Sequence, residues 1–319
     1  DEWAWLFEME SRFDANEAWP VDPERRTESA ALAALAYMQA LPRPPLVFAN
    51  HPSRSAMGIG VYGLDQPREL RNNHDQAPGV YRGMEGAPGH QAAALAREDP
   101  DDLDARERPG ARGSYRNPGA HTIGGFDQMT AIVGGLWDAL LGEGRRFWIV
   151  ATSDSHVHYS EADDPGSDFW PGEYQKTYVY ASRSYEDILD GLRNGRVFVT
   201  SGDLITDLEV TASVGARATD IGGTLRAARG DEVEVSIRFR DPDSPNAAGL
   251  NPRVARVDVI AGQVLGVVDD RNADRNPTTR VIARMVVDEG RSDDGRRRFV
   301  TTMPPLDGPM YVRVRRSEE

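Results

Sequence analysis

The chain has no cysteine in its 319 residues, so disulfides, thiolate metal sites and cysteine nucleophiles are excluded. It has a single lysine, Lys176; its other basic side chains are arginines and six histidines. Basic charge is also scarce overall: 37 Lys+Arg stand against 51 Asp+Glu, a net charge of −14 and a pI near 5.0. A nucleic-acid binder shows a basic face, and this balance argues against one. No apolar run approaches the ~20 residues a membrane helix needs, so no membrane span is expected. The N-terminal Asp1-Glu2-Trp3-Ala4-Trp5 does not read as a signal peptide. The compartment stays open, secretion included.

What is present suits a chain with a real core: 39% hydrophobic and 28% charged residues. At roughly 100–200 residues per domain the length predicts two domains, or one large one with an appendage. Apolar spacing over 3–13 predicts a helix, with Glu8 and Glu10 on a solvated face. Asp22-Pro23-Glu24 reads as an N-cap with proline at the first helical position, opening a helix that continues through 29–41 and stops at Pro42. Leu46-Val47-Phe48-Ala49 reads as a buried parallel strand ending in Asn50-His51-Pro52-Ser53-Arg54. A further strand is predicted at 79–84, a long exposed loop at 97–117, a helix at 126–141 and a strand at 147–151. A short strand at 178–180, a helix at 185–192 and a strand at 196–200 follow. This alternation predicts a parallel α/β sheet or barrel. After Gly202, alternating segments such as Val233, Val235, Ile237 and Phe239, separated by Gly, Pro and Asp clusters, predict an antiparallel sandwich. The domains are set at 1–202 and 203–319.

All six histidines (His51, His74, His90, His121, His156 and His158) precede Gly202. His51 and the pair Asp154/His156 each directly follow an apolar strand, and the carboxyl ends of parallel strands form the site face of such sheets. In an extended segment, residues two apart share a side, so Asp154 and His156 can both reach one metal. With no thiolate, a site of nitrogen and oxygen donors suits zinc, manganese or iron. A plain turn at each strand end is the competing reading. His74 is expected in a surface loop. Walker, Gly-x-Ser-x-Gly and dinucleotide signatures are lacking, and Ser153 and Ser155 match no nucleophile elbow.

Val47-Phe48-Ala49-Asn50-His51-Pro52, together with Ala151-Thr152-Ser153-Asp154-Ser155-His156, resembles the PHP (polymerase and histidinol phosphatase) domain over about residues 40–202. The resemblance implies a partial distorted (β/α)7 barrel followed by the β-sandwich. It also implies a cluster of two or three divalent ions, zinc, manganese or iron, and hydrolysis of a phosphate ester. It makes His51, Asp154 and His156 metal ligands. Glu85, in Met84-Glu85-Gly86, falls where the family carries a strand-end glutamate. Glu85, His90 and Lys176 are taken as catalytic candidates, and Arg54, His121 and His158 as substrate contacts. The family opens on a His-x-His strand, and here no such pair precedes His51, the first histidine. A chain that begins partway through the domain is one expectation; a variant that has lost ligands is the other. The expected function is a metal-dependent phosphoesterase on a small substrate. Two alternatives stand beside it. One is a binding protein with a degenerate scaffold and a carbohydrate- or protein-binding sandwich. The other is an amidohydrolase-like enzyme acting on C–N bonds.

Overall fold

The computed structural model describes residues 27–53, 56, 60–63, 65–89, 125–153, 172, 175–246, 249, 251–287 and 294–317. Helix α1 (Glu28–Gln39) starts behind Thr27, whose extended backbone and side-chain oxygen cap Ala30 N–H. The expected cap at Asp22 lies outside the described residues, and Thr27 makes a separate helix start. Helix α2 (Pro67–Gln76) has proline at its first position. Its His74 and Arg71 are buried, which corrects the expected surface loop. The single helix expected over 126–141 is two short ones, α3 (Gln128–Ala131) and α4 (Leu136–Gly142). Gly134, at φ 74°, breaks it in a left-handed conformation that glycine adopts without steric cost.

Strands β1 (Val47–Ala49), β2 (Tyr81–Pro88) and β3 (Trp148–Thr152) form one parallel sheet in the order β1-β2-β3. Strands β4 (Gln175–Val179) and β5 (Val197–Ser201) form a separate antiparallel pair, spanned by helix α5 (Tyr185–Arg193). The expected (β/α)7 barrel is therefore not formed. A barrel needs an unbroken ladder around its circumference. Here the step from β3 to β4 is made by a side chain: Thr177 Oγ1 accepts from Ala151 N (2.8 Å) and donates to Ala151 O (2.7 Å). The last two strands also run antiparallel, against the parallel order a barrel requires.

The remaining strands are β6 (Asp207–Val214), β7 (Arg217–Asp220), β8 (Glu234–Arg240), β9 (Arg256–Gln263), β10 (Arg280–Val286), β11 (Arg297–Thr302) and β12 (Met310–Ser317). They make two antiparallel sheets, β11-β8-β6-β7 and β10-β9-β12. With these, the described residues hold far more strand than helix. The alternation of β8 puts Val235, Ile237 and Phe239 inward, in one core with Val257 and Val259 of β9. A second core, with Leu70, Met84, Leu140 and Phe147, lies around the parallel sheet.

The parallel-sheet part and the antiparallel sheets meet at Asp138 on α4, which has no exposed surface. Arg313 on β12 grips it bidentately, Nε to Oδ1 and Nη2 to Oδ2, both at 2.7 Å. Gly134 N–H (2.7 Å) and the Tyr311 hydroxyl (3.1 Å) complete its shell. The guanidinium also lies over the Trp137 ring, 5.0 Å from its centroid. A second network joins Arg71, Glu143, Arg145, Asp75 and Arg271 across the same seam. His74 sits in that network with Nδ1 3.2 Å from Arg145 Nη1. Burial, then the charges of Arg145 and Arg82, push its pKa down to about 4, so the folded state keeps it neutral.

Two outcomes follow from this seam. Arg313→Met strands a buried carboxylate and is expected to cost about 3–5 kcal/mol in urea denaturation. The double variant Asp138→Leu/Arg313→Met should lose less than that single one, and a larger loss in the double would refute the hub role. Well above pH 6.5 His74 is neutral in both folded and unfolded chains and its titration contributes nothing. As pH falls toward 4 only the unfolded chain takes up the proton, so folded stability declines. The stability difference between the native chain and His74→Gln should therefore change against the native chain by about 3 kcal/mol from pH 7 to pH 4. A difference independent of pH would refute it.

Candidate functional site

Of the three predicted site residues that are described, the parallel strands bring two together. His51 follows β1 and Glu85 lies in β2, and the His51 N–H donates to Glu85 Oε2 at 2.7 Å. The Thr152 hydroxyl, at the end of β3, donates to Glu85 Oε1. Glu85, only 2% exposed, thus spans the carboxyl edge of the sheet from β1 to β3. That edge is where open parallel sheets carry their sites. Just beyond Glu85 the strands run so close that a Cβ on Gly89 would overlap the Ser153 carbonyl, which only glycine allows. His51 itself has φ 27°, a left-handed value unusual for a residue with a side chain.

Residues that sequence reasoning passed over complete the setting. Asp127, fully buried, accepts from Ser53 N–H (3.1 Å), Ser53 Oγ (2.7 Å) and Met129 N–H (2.8 Å). It caps α3, and Asp before a short helix was the available signal. Asp65 lies within electrostatic reach of Asp127 and Glu69. Burial, then these two charges, raise its pKa to about 7, so near neutral pH it is about half protonated.

Lys176 lies apart from this pair, on β4. Its Nζ is 2.6 Å from Asp203 Oδ1, in a partly buried ion pair just past β5. Asp203 has φ 56°, the other described non-glycine residue with a left-handed backbone. Asp154, His156, His90, Arg54, His121 and His158 lie outside the described residues. Among the described residues no group of three or more His, Asp or Glu side chains is placed to hold a metal, and no helix is long and apolar enough to cross a membrane. The chemistry of the predicted donor set, imidazole and carboxylate without thiolate, fits a divalent zinc, manganese or iron ion. No family model, curated protein or solved structure matches the chain.

The raised pKa of Asp65 makes folding stability depend on pH. In the folded chain it holds its proton up to about pH 7, while the unfolded carboxyl loses it near 3.8. The folded state therefore binds more protons between those values, and the contribution of Asp65 to stability falls as pH rises through them. Asp65→Asn removes that dependence. The native chain should lose stability relative to Asp65→Asn from pH 4 to pH 7.5 in parallel urea titrations; a constant gap would show an ordinary carboxyl.

Proposed function

We propose that the chain is a metal-dependent hydrolase, a phosphoesterase acting on a small phosphate ester. The observation that carries this reading is the meeting of His51 and Glu85 at the carboxyl edge of three parallel strands. Strand β3 ends at Thr152, which bonds to Glu85, and Asp154 follows two residues later in the chain. His51, Asp154 and His156 would hold the metal, one ion or a small cluster. Bound there, a divalent ion lowers the pKa of its water and supplies hydroxide near neutral pH. Glu85 holds the main chain of His51 and so keeps the imidazole at the sheet edge. His90 is proposed beside Glu85 in the chemistry, and Arg54, His121 and His158 as contacts for the anionic substrate. Lys176 would reach a phosphate only by loosening its ion pair with Asp203.

A second reading has its own observation. Both oxygens of Glu85 accept hydrogen bonds from the chain, and the ammonium of Lys176 is held by Asp203. Groups so committed suit a scaffold, and a non-catalytic binding protein would need no more of them.

Elemental analysis of the full chain, purified without chelator and reloaded with zinc, manganese or iron, separates the two. The hydrolase reading expects near-stoichiometric metal that falls sharply in His51→Ala, with metal-dependent cleavage of a phosphate ester abolished by chelation. Absence of metal in the native chain, or equal metal in both proteins, would overturn it and leave the binding reading.

A further inference from the structure

We propose that Asp127 is a positioning residue for the His51 site: its buried carboxylate clamps the turn that carries the imidazole. The proposal rests on the reading of His51 as a metal ligand and adds a residue that neither the strand ends nor the resemblance points to.

The turn His51-Pro52-Ser53 is anchored on both sides of its proline. On one side His51 N–H donates to Glu85 Oε2 at 2.7 Å. On the other, Ser53 gives both its donors to Asp127: N–H to Oδ2 at 3.1 Å and Oγ to Oδ1 at 2.7 Å. Pro52 has no N–H of its own to anchor and has a restricted φ, so these bonds define the turn. The conformation they hold is one the chain does not choose by itself. A left-handed φ on a residue with a side chain is strained and persists only where surrounding contacts enforce it.

Asp127 is itself immobilised. Met129 N–H donates to its Oδ1 at 2.8 Å, and its own N–H donates to Gly86 O at 2.8 Å, one residue past Glu85. The Thr130 hydroxyl donates to the same Gly86 carbonyl at 3.0 Å. Glu85 and Asp127 are therefore fixed to the same stretch of β2 and act as one rigid jaw. Asp127 has no exposed surface and Ser53 has 2%, so water does not compete for these bonds. Removing the clamp frees the turn to relax from φ 27° and with it the backbone that carries the imidazole. Groups that orient a metal-binding histidine typically change metal affinity by about 10–100-fold when lost.

The test is competitive titration of zinc and manganese against a chromophoric chelator, on the full chain, for the native protein, Ser53→Ala, Asp127→Asn and His51→Ala. Thermal unfolding is followed alongside. Ser53→Ala deletes one clamp bond and keeps the Ser53 N–H bond, so it should weaken the metal several-fold with little change in unfolding midpoint. Asp127→Asn should weaken it about 10-fold or more. Amide hydrogen exchange at His51 and Ser53 should quicken in both. Should Asp127→Asn fail to fold, Ser53→Ala decides alone. Affinities in the folded variants within twofold of the native chain would overturn the positioning role and leave the metal reading standing. A native chain that takes up no zinc or manganese would overturn both together.

Discussion

Asp138 is a carboxylate with no exposed surface, and four donors from three residues, Gly134, Tyr311 and Arg313, converge on it. Such a charge is tolerated inside a protein only when each lone pair is satisfied. Arg313 and Tyr311 can reach it only if β12 lies against α4, and Gly134 only if the preceding loop turns left-handed. One ion pair therefore sets the relation between the parallel sheet and the antiparallel sheets. The contacts around it repeat the constraint. Asn276 Nδ2 donates to Asp138 O, Asn276 N–H to Gly134 O, and Leu265 N–H to Gly142 O. The seam is polar and specific where a purely apolar one would allow sliding.

The same device recurs with other partners, each time built on arginine. Asp258, 1% exposed, accepts from Arg284 (2.8 Å) and Arg315 (2.9 Å). Burial alone would raise its pKa; the two guanidinium groups reverse that and hold it below the usual carboxylate range. Glu143 lies between Arg71 and Arg145 at 2.7 Å from each. A guanidinium offers several donors in a fixed plane and stays charged when desolvated, so one arginine can bridge two segments; a lysine ammonium does this poorly. An excess of acidic residues then has an internal use, since buried carboxylates are the nodes at which strands from distant parts of the sequence are tied.

Legibility in the sequence followed the range of the interactions. Strand β8 was readable because Val233, Val235, Ile237 and Phe239 alternate, and the same alternation buries them. Helix α5 was readable from its spacing and from Gly195, which takes φ 70° and lies so close to the Trp148 ring that a Cβ would collide with it. The failures came where a distant partner decided. His74 sits in a segment that reads as polar loop, yet Arg145, seventy-one positions away, accompanies it into the interior. Alternating helices and strands, a local pattern, predict only a parallel sheet or barrel, and the (β/α)7 barrel is what the resemblance to the PHP domain implies. Whether a ladder closes depends on β4 and β5 pairing with each other and on Thr177 ending the run beside β3. Of the candidate site, His51 and Glu85 were legible as polar residues at or near strand ends. Asp127 is legible as a helix cap but not as a site residue, because its partner Ser53 lies seventy-four positions away and no local spacing records the bond.

Three parallel strands suffice to build the edge at which His51 and Glu85 meet, so the loss of the barrel does not remove the candidate site. What a barrel supplies by closure, this chain supplies by carboxylates acting on the main chain. Glu85 spans β1 and β3, and Asp127 fixes the turn beyond β1 to the β2 backbone. A carboxylate engaged in this way has limited freedom to act as a base, yet an acceptor held rigid is well suited to hold a neighbour in place. Structural and chemical uses of these groups are therefore not alternatives. Those same hydrogen bonds hold the backbone of a strained turn, so under the proposed reading the cost of keeping His51 at φ 27° belongs with the site and not with the sheet.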